Sequence, residues 1–146
     1  MSTPTLSSET VHVSAVAIDG RGVLIGGLSG KGKSDLALRL IDRGARLISD
    51  DYTFVRRIGE QVVASAPPTI AGKIEVRGVG LADMPAVSDV PVALFVDLDV
   101  EPERLPEPGE ARLLAGIAVP VVGLSALEPS APIKVEIALR MLGITP

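Results

Sequence analysis

One short segment of the chain combines residue types that bind phosphate groups. It consists of Gly27, Leu28, Ser29, Gly30, Lys31, Gly32, Lys33 and Ser34. The pattern G-x-x-x-x-G-K-S is that of a P-loop, in which glycines let successive backbone N–H groups point at phosphate oxygens. Lys33 would reach the β- and γ-phosphates of a nucleotide, and the Ser34 hydroxyl would hold Mg²⁺. Lys31 is most simply a solvated side chain that adds positive potential near the phosphates.

Three further groups have side chains suited to chemistry: His12, the adjacent carboxylates Asp50 and Asp51, and Glu75 with Arg77. Taken singly, each has a structural explanation. A lone histidine is usually structural or solvated, an Asp pair often caps a turn, and charges two apart on a strand pair in solvent. A P-loop changes this weighting, because its metal needs a second acidic group and phosphoryl transfer to a hydroxyl needs a base in line with the γ-phosphate.

The elements around the segment would bring these groups together. The apolar run 23–25 predicts a strand before the segment, and residues 34–43 predict an amphipathic helix after it. The next strand, residues 46–48, runs into the two aspartates. A right-handed strand-helix-strand crossover returns this strand parallel to the first, so phosphate and carboxylates would share one crevice at the carboxyl ends of the strands.

The whole pattern predicts an α/β fold: a P-loop-containing mixed sheet with an N-terminal β-hairpin leading into the P-loop and few helices. The hairpin pairs residues 11–18 with 23–26 through a turn at 19–22. We interpret residues 1–146 as a single P-loop kinase domain with a frayed tail at 1–9. The other predicted elements are a hairpin of 52–55 with 61–64, strands within 70–80, 90–98 and 113–124, a loop at 101–110 and a helix at 131–142.

Composition narrows the possible functions. Hydrophobic residues make up 47% and aromatic residues 2%, so small branched side chains must fill the core, as in strands buried on both faces. The net charge of −4 argues against a nucleic-acid surface. With no cysteine, thiol chemistry is excluded. The sequence has no signal peptide pattern and no apolar run long enough to span a membrane, so we expect a cytoplasmic protein without membrane contact.

Several motifs occur in order over residues 11–82. They are His12, Gly22-Val23-Leu24-Ile25, Gly27-x-Ser29-Gly30-x-Gly32-Lys33-Ser34, Arg43-Gly44-x-Arg46-Leu47-Ile48-x-Asp50-Asp51 and Ile74-Glu75-Val76-Arg77-Gly78-Val79-Gly80. This combination resembles the catalytic domain of HPr kinase/phosphorylase, in its short form without the N-terminal domain. That family regulates bacterial carbohydrate and phosphotransferase systems by phosphorylating a serine of the carrier protein HPr. The resemblance implies ATP and Mg²⁺ as cofactors, an HPr-like phosphocarrier as partner and a homo-oligomer, a hexamer.

The resemblance also implies a role for each candidate residue. Asp51 would be the base that accepts the serine proton, and the acid in the reverse attack of inorganic phosphate, with Asp50 assisting beside it. His12 matches the family's active-site histidine, and Glu75 matches its second metal-binding carboxylate. Arg77 would position the metal site or the docked substrate loop.

The sequence departs from the family pattern in two places. Asp35 stands where members usually carry glutamate, and residues 125–132 contain no arginine where longer members carry an arginine-bearing segment linked to dephosphorylation. Kinase activity is therefore better supported than phosphorolysis. Two alternatives stay open: a nucleotide-sensing regulatory protein that transfers nothing, and a P-loop small-metabolite kinase. The second alternative would need an arginine-rich lid, whereas residues 101–110 hold only Arg104.

Overall fold

The computed structural model describes residues 7–107 and 109–145. The strands are β1 (Ser8–Val11), β2 (Val13–Ile18), β3 (Arg21–Gly26), β4 (Arg46–Ser49), β5 (Thr53–Ile58), β6 (Gln61–Ser65), β7 (Lys73–Val76), β8 (Gly80–Asp83), β9 (Val90–Asp97), β10 (Ala111–Leu114) and β11 (Ile117–Gly123). The helices are α1 (Lys33–Asp42) and α2 (Ala131–Leu142), with a short 3-10 turn at Pro68–Ile70.

Nine of the strands form one mixed sheet. Its main path runs β1-β5-β6-β9-β3-β2-β4, and β10 joins through β11 to β9. The pairs β3 with β9 and β9 with β11 are parallel, and the other pairs are antiparallel. A mixed α/β class with few helices is confirmed.

The centre of the sheet positions the glycine loop, residues 27–34. β2 and β3 pair antiparallel from Val13 opposite Gly26 to Ile18 opposite Arg21, so β3 delivers the chain into the loop. β3 also pairs with β9, and a Cβ atom on Gly26 would lie 2.6 Å from the ring of Phe95 on β9. Such a distance is far below van der Waals contact, so only glycine fits where β3 ends beside that ring.

The sheet is buried on both faces, as the scarcity of aromatic residues predicts. Along β3, Val23 and Ile25 face the helices, whereas Leu24 faces the opposite core together with Phe95. The cluster on the helix side includes Leu36 and Leu40 of α1, Val135 and Leu139 of α2, and Leu94 and Val96 of β9. Side chains from β4, β5, β6, β10 and β11 complete the cluster on the other side. Because side chains alternate between the two faces of β3, this strand contributes residues to both hydrophobic cores.

Helices α1 and α2 are also tied to each other at their surface. Arg43, the residue after α1, donates hydrogen bonds to the Glu136 carboxylate of α2, the shortest at 2.8 Å. These hydrogen bonds and the charge of Glu136 raise the pKa of Arg43. Gly44 follows with φ of +111°, in the left-handed region that the sequence predicts for the end of this helix.

The predicted strand 11–18 is broken at His12. β1 pairs with β5, whereas β2 pairs with β3 and β4, so the chain changes partner at this residue. The predicted tail 1–9 is wrong for Ser8 and Glu9, which lie in β1, because the β5 edge offers them backbone partners. Residues 1–6 lie outside the described residues.

Two segments read as single strands are hairpins. Within 70–80 the chain forms β7, turns at residues 77–79 and returns as β8. Arg77 therefore lies in the turn and does not share a strand face with Glu75, which corrects that expectation. Within 113–124, Ala115 and Gly116 take φ of +48° and +81° and turn β10 into β11. Two successive positive φ values match the twist of a tight hairpin. Because alanine rarely adopts a positive φ, Ala115 gives no turn signal in the sequence.

Candidate active site

The glycine loop connects β3 to α1 and requires two left-handed residues. Gly30 has φ of +87° and Gly32, the residue before α1, has φ of +93°. A side chain is strained at such angles, so glycine allows the loop to curl into the helix. The Gly32 carbonyl accepts the first helical hydrogen bond, from Leu36 N–H at 2.9 Å. The start of α1 thus presents free N–H groups and the positive end of its dipole, which suit an anion.

The two lysines of the loop differ in environment. The Lys33 side chain is 7% exposed, and its Nζ donates to the Gly27 carbonyl at 2.7 Å. The Lys33 side chain therefore links the end of the loop to its first residue, Gly27. Lys31 is exposed, as the sequence predicts for a solvated side chain. Of the two, only Lys33 lies inside the curve of the loop.

Asp50 is the buried carboxylate of the site. Its Oδ1 accepts the Ser34 hydroxyl at 2.6 Å and the Ser14 hydroxyl at 2.9 Å, and its Oδ2 accepts the backbone N–H of Glu75 at 3.0 Å. A buried charge is tolerated only with such a set of donors. The predicted juxtaposition of loop serine and strand carboxylate is therefore present, with Asp50 as the nearer of the two aspartates.

Asp51 lies beside Asp50 but faces a different partner. Its Oδ1 is 2.8 Å from His12 Nε2, and its backbone N–H donates to Ser14 Oγ at 3.1 Å. Because an ionised carboxylate only accepts, Nε2 carries the proton in this contact. The His12 ring stacks on Tyr52, with centroids 4.6 Å apart and planes 15° apart. Both His12 and Asp51 are partly exposed, so an incoming molecule can reach them.

Glu75 and Arg77 lie on the separate β7-β8 hairpin. Glu75 contacts Asp50 through its backbone, and its side chain is exposed, as is that of Arg77. Within residues 7–107 and 109–145, no three His, Asp or Glu side chains lie close enough to hold a metal ion by themselves. The oxygens of Ser34 and Asp50 fit Mg²⁺ chemistry, since Mg²⁺ commonly uses one or two protein oxygens with phosphates and water.

Ser14 is one residue of the site that sequence reasoning missed. It is fully buried in β2, donates to Asp50 and accepts from Asp51, so one hydroxyl aligns both aspartates. The available signal was a hydroxyl inside the apolar run 13–18, where a buried polar group needs partners. Asp97 and Asp99 at the end of β9 were missed as well.

Fold and site together define a class of protein: a mixed α/β domain whose glycine loop, set between a strand and a helix, faces two aspartates from another strand. The family model of the HPr Serine kinase C-terminal domain matches residues 5–90. The chain belongs to the HPr kinase family. The resemblance deduced from the motifs is confirmed.

Relatives agree with this assignment. An HPr kinase/phosphorylase from Caldanaerobacter subterraneus subsp. tengcongensis is 41% identical over 102 residues, covering 67% of this chain and 33% of the relative. One from Limosilactobacillus reuteri is 38% identical over 130 residues, covering 80% and 40%. The chain thus spans less than half the length of these curated relatives. A solved structure of the Hpr(Ser) kinase/phosphatase from Coxiella burnetii is 33% identical, with a TM-score of 0.78, covering 90% of this chain and 94% of that one.

Neither helix within the described residues combines the length and apolar character needed to cross a membrane.

Proposed function

We propose that the chain is the catalytic domain of an ATP- and Mg²⁺-dependent protein-serine kinase that phosphorylates a serine of an HPr-like phosphocarrier. The observation that carries the proposal is the connected network from Ser34 through Asp50 and Ser14 to Asp51. It joins a loop hydroxyl suited to a metal with a carboxylate suited to be a base. The names of the relatives, HPr kinase/phosphorylase, supply the substrate class.

The glycine loop would bind the phosphates of the donor. Residues 32–34 would direct backbone N–H groups at the phosphate oxygens, and Lys33 Nζ would exchange its contact with the Gly27 carbonyl for one with phosphate. Ser34 and Asp50 would hold Mg²⁺, with Glu75 as the second carboxylate ligand. Bound there, the ion would neutralise charge on the phosphates. Supplying ATP or pyrophosphate alone in the transfer assay would show which of them is the phosphoryl donor.

Asp51 would act as the base. Its Oδ1 is held by His12, and within the described residues Oδ2 has no hydrogen-bond partner. The incoming serine would lose its hydroxyl proton to Asp51 as its oxygen bonds to the γ-phosphorus. The bond between that phosphorus and the bridging oxygen breaks, and ADP leaves. His12 would orient Asp51, and position would contribute more to the rate than a change in basicity.

The β7-β8 hairpin would dock the carrier. Its turn and second strand expose Arg77, Val79 and Leu81, a cation beside two apolar side chains. Arg77 would position the loop that carries the substrate serine. This assigns substrate contact to an element outside the main sheet.

Phosphorolysis of the phosphorylated carrier would be the weaker activity. The segment between β11 and α2 adjoins the glycine loop, because a Cβ atom on Gly32 would lie 3.2 Å from Ala126 Cβ. Residues 125–132, which include this segment's end and the first two residues of α2, contain no arginine. Arg39 of α1 reaches it but donates to the carbonyls of Ala126 and Glu128.

The test incubates the protein with labelled ATP, Mg²⁺ and the HPr-type proteins of the same organism, followed by mass spectrometry of the modified residue. Label on one carrier serine is the expected result, and EDTA should abolish it. Nucleotide binding without a phosphorylated carrier would favour a nucleotide-sensing protein. Transfer to a small hydroxyl compound would favour a metabolite kinase.

A homo-oligomer, a hexamer, and a cytoplasmic location remain predictions. Light scattering after size-exclusion chromatography measures the first, and cell fractionation measures the second. A monomer at working concentration would contradict the oligomer.

A further inference from the structure

A second acidic pair lies on the opposite flank of the glycine loop from Asp50. Asp97 ends β9, and Asp99 follows it. Both carboxylate oxygens of Asp99 lie 3.1 Å from the backbone nitrogen of Leu28, the second residue of the loop. The Leu28 side chain is 68% exposed, so packing does not hold this residue in place. The carboxylate restrains the N–H side of the Gly27–Leu28 peptide, whose carbonyl side is held by Lys33 Nζ at 2.7 Å.

Asp99 is itself held by Asp97. The Asp97 carboxylate is buried, and its Oδ1 accepts the Asp99 backbone N–H at 2.9 Å. Its Oδ2 accepts Arg112 at 3.1 Å, and the Arg112 guanidinium lies 4.1 Å above the Phe95 ring. Hydrogen bonds from two donors make this buried charge tolerable, and the ring orients the guanidinium.

These contacts form a continuous chain from the β10-β11 hairpin to the loop. It runs from Arg112 to Asp97, then through the backbone of Asp99 to its carboxylate, and ends at Leu28 N–H. Both oxygens of the Asp99 carboxylate lie against the Leu28 N–H, so its observed role is to hold the backbone of the loop.

We infer that Asp99, braced by Asp97 and Arg112, is a positioning residue for the glycine loop. By fixing the N–H side of the Gly27–Leu28 peptide, it holds the entrance of the loop so that the backbone N–H groups of residues 32–34 stay directed at one ligand. The inference rests on the proposed function for the identity of the ligand, but the restraint on Leu28 exists without any ligand.

The primary test is hydrogen exchange of the Leu28 backbone amide, measured by NMR in the protein without nucleotide. Removing its acceptor in Asp99→Ala should speed exchange about tenfold. Asp99→Asn should retain most of the protection, because the carboxamide oxygen still accepts. Arg112→Met should give an intermediate increase. Unchanged exchange in Asp99→Ala would overturn the inference.

Arg56→Met is the matched control. Arg56 pairs with Asp89 at 3.2 Å, and its side chain is 47% exposed, against 3.1 Å and 46% for Arg112 with Asp97. This pair lies away from the loop, so its loss should leave Leu28 exchange unchanged. An equal increase in both arginine variants would indicate general loosening and would also overturn the inference.

The second readout is affinity for MgATP. Asp99→Ala should raise Kd and KM about tenfold while kcat changes less than twofold, since the loop positions the nucleotide and not the base. Faster exchange with unchanged Kd would contradict the link to binding. A wild-type protein that binds no nucleotide would refute the proposed function, whereas the exchange measurement would still decide whether Asp99 restrains the loop.

Discussion

The Ser34 hydroxyl donates to Asp50 Oδ1 across 2.6 Å, joining the first turn of α1 to the end of β4. These two residues are 16 positions apart in the sequence, and the rest of α1, which packs on the sheet, lies between them. Their contact brings an acidic group to the end of the glycine loop. The functional predictions below depend on this arrangement.

Replacing Asp51 with asparagine should lower phosphoryl transfer by about 10² to 10⁴-fold, the usual contribution of a general base. The side chain keeps its shape but loses the capacity to take a proton. Nucleotide affinity should change little, because Asp50 and not Asp51 contacts Ser34. Asp89→Asn, at an exposed position paired with Arg56, is the control. Full activity in Asp51→Asn would exclude Asp51 as the base.

Lys33→Met and Lys31→Met should separate the two loop lysines. Lys33 lies inside the loop on the Gly27 carbonyl, so its loss should weaken nucleotide binding and transfer by at least about tenfold. Lys31 is exposed, so its replacement removes one solvent-screened charge and should weaken nucleotide binding and transfer by less than about threefold. Titration calorimetry with MgATP measures both variants. Equal losses of affinity in the two variants would show that the positive electrostatic potential of the loop, and not the position of Lys33, determines nucleotide binding.

Ser14→Ala should lower both stability and activity. The substitution removes one donor from the buried Asp50 and the acceptor of Asp51 N–H, costing about 1–3 kcal/mol in the free energy of unfolding. Transfer should fall about tenfold as both carboxylates lose their alignment. Urea denaturation and the transfer assay give the two values.

The control for Ser14 is Ser65→Ala. Ser65 makes the same kinds of hydrogen bonds, donating to the Asp89 carboxylate and accepting the Asp89 N–H, but it is only half-buried and these bonds are open to solvent. Water replaces those bonds, so its unfolding free energy should change by less than about 0.5 kcal/mol. If both variants lost activity equally, Ser14 would have no special role in the site.

Gly32→Ala should disrupt the loop more than Gly30→Ala. Both residues have positive φ, so each alanine adds strain of about 1–2 kcal/mol. Only at Gly32 does the new Cβ also approach Ala126, at 3.2 Å, whereas at Gly30 no atom lies within 4 Å. The difference in MgATP affinity between the variants should therefore report that contact. Gly59→Ala, strained in a remote turn, tests for a global effect.

Local patterns were sufficient where the local signal was strong. The period of Leu36 and Leu40 predicts α1, and the apolar run at 90–98 predicts β9. The hairpins at 77–79 and 115–116 were missed because turn geometry there depends on backbone angles that the residue types only partly reveal, above all at Ala115.

The candidate site follows the same division. The sequence identifies the candidate residues, which are those of the loop, His12 and the aspartates. It does not show which of them contact one another. Ser14 lies 36 positions from Asp50, and Asp99 lies 71 positions from Leu28. Only the order and register of the strands bring such pairs together, and neither can be read from local spacing.

The order of the strands in the sheet sets how far apart the elements that carry the site lie. β2 runs between β3 and β4, so the strand that leads into the glycine loop and the strand that leads into the two aspartates lie about 10 Å apart. Ser14 projects from that middle strand and joins the Asp50 carboxylate to the backbone of Asp51. The register of β2 therefore matters for the acidic part of the site, because a shift of β2 by a single residue would turn this hydroxyl to the opposite face and remove the link between Asp50 and Asp51.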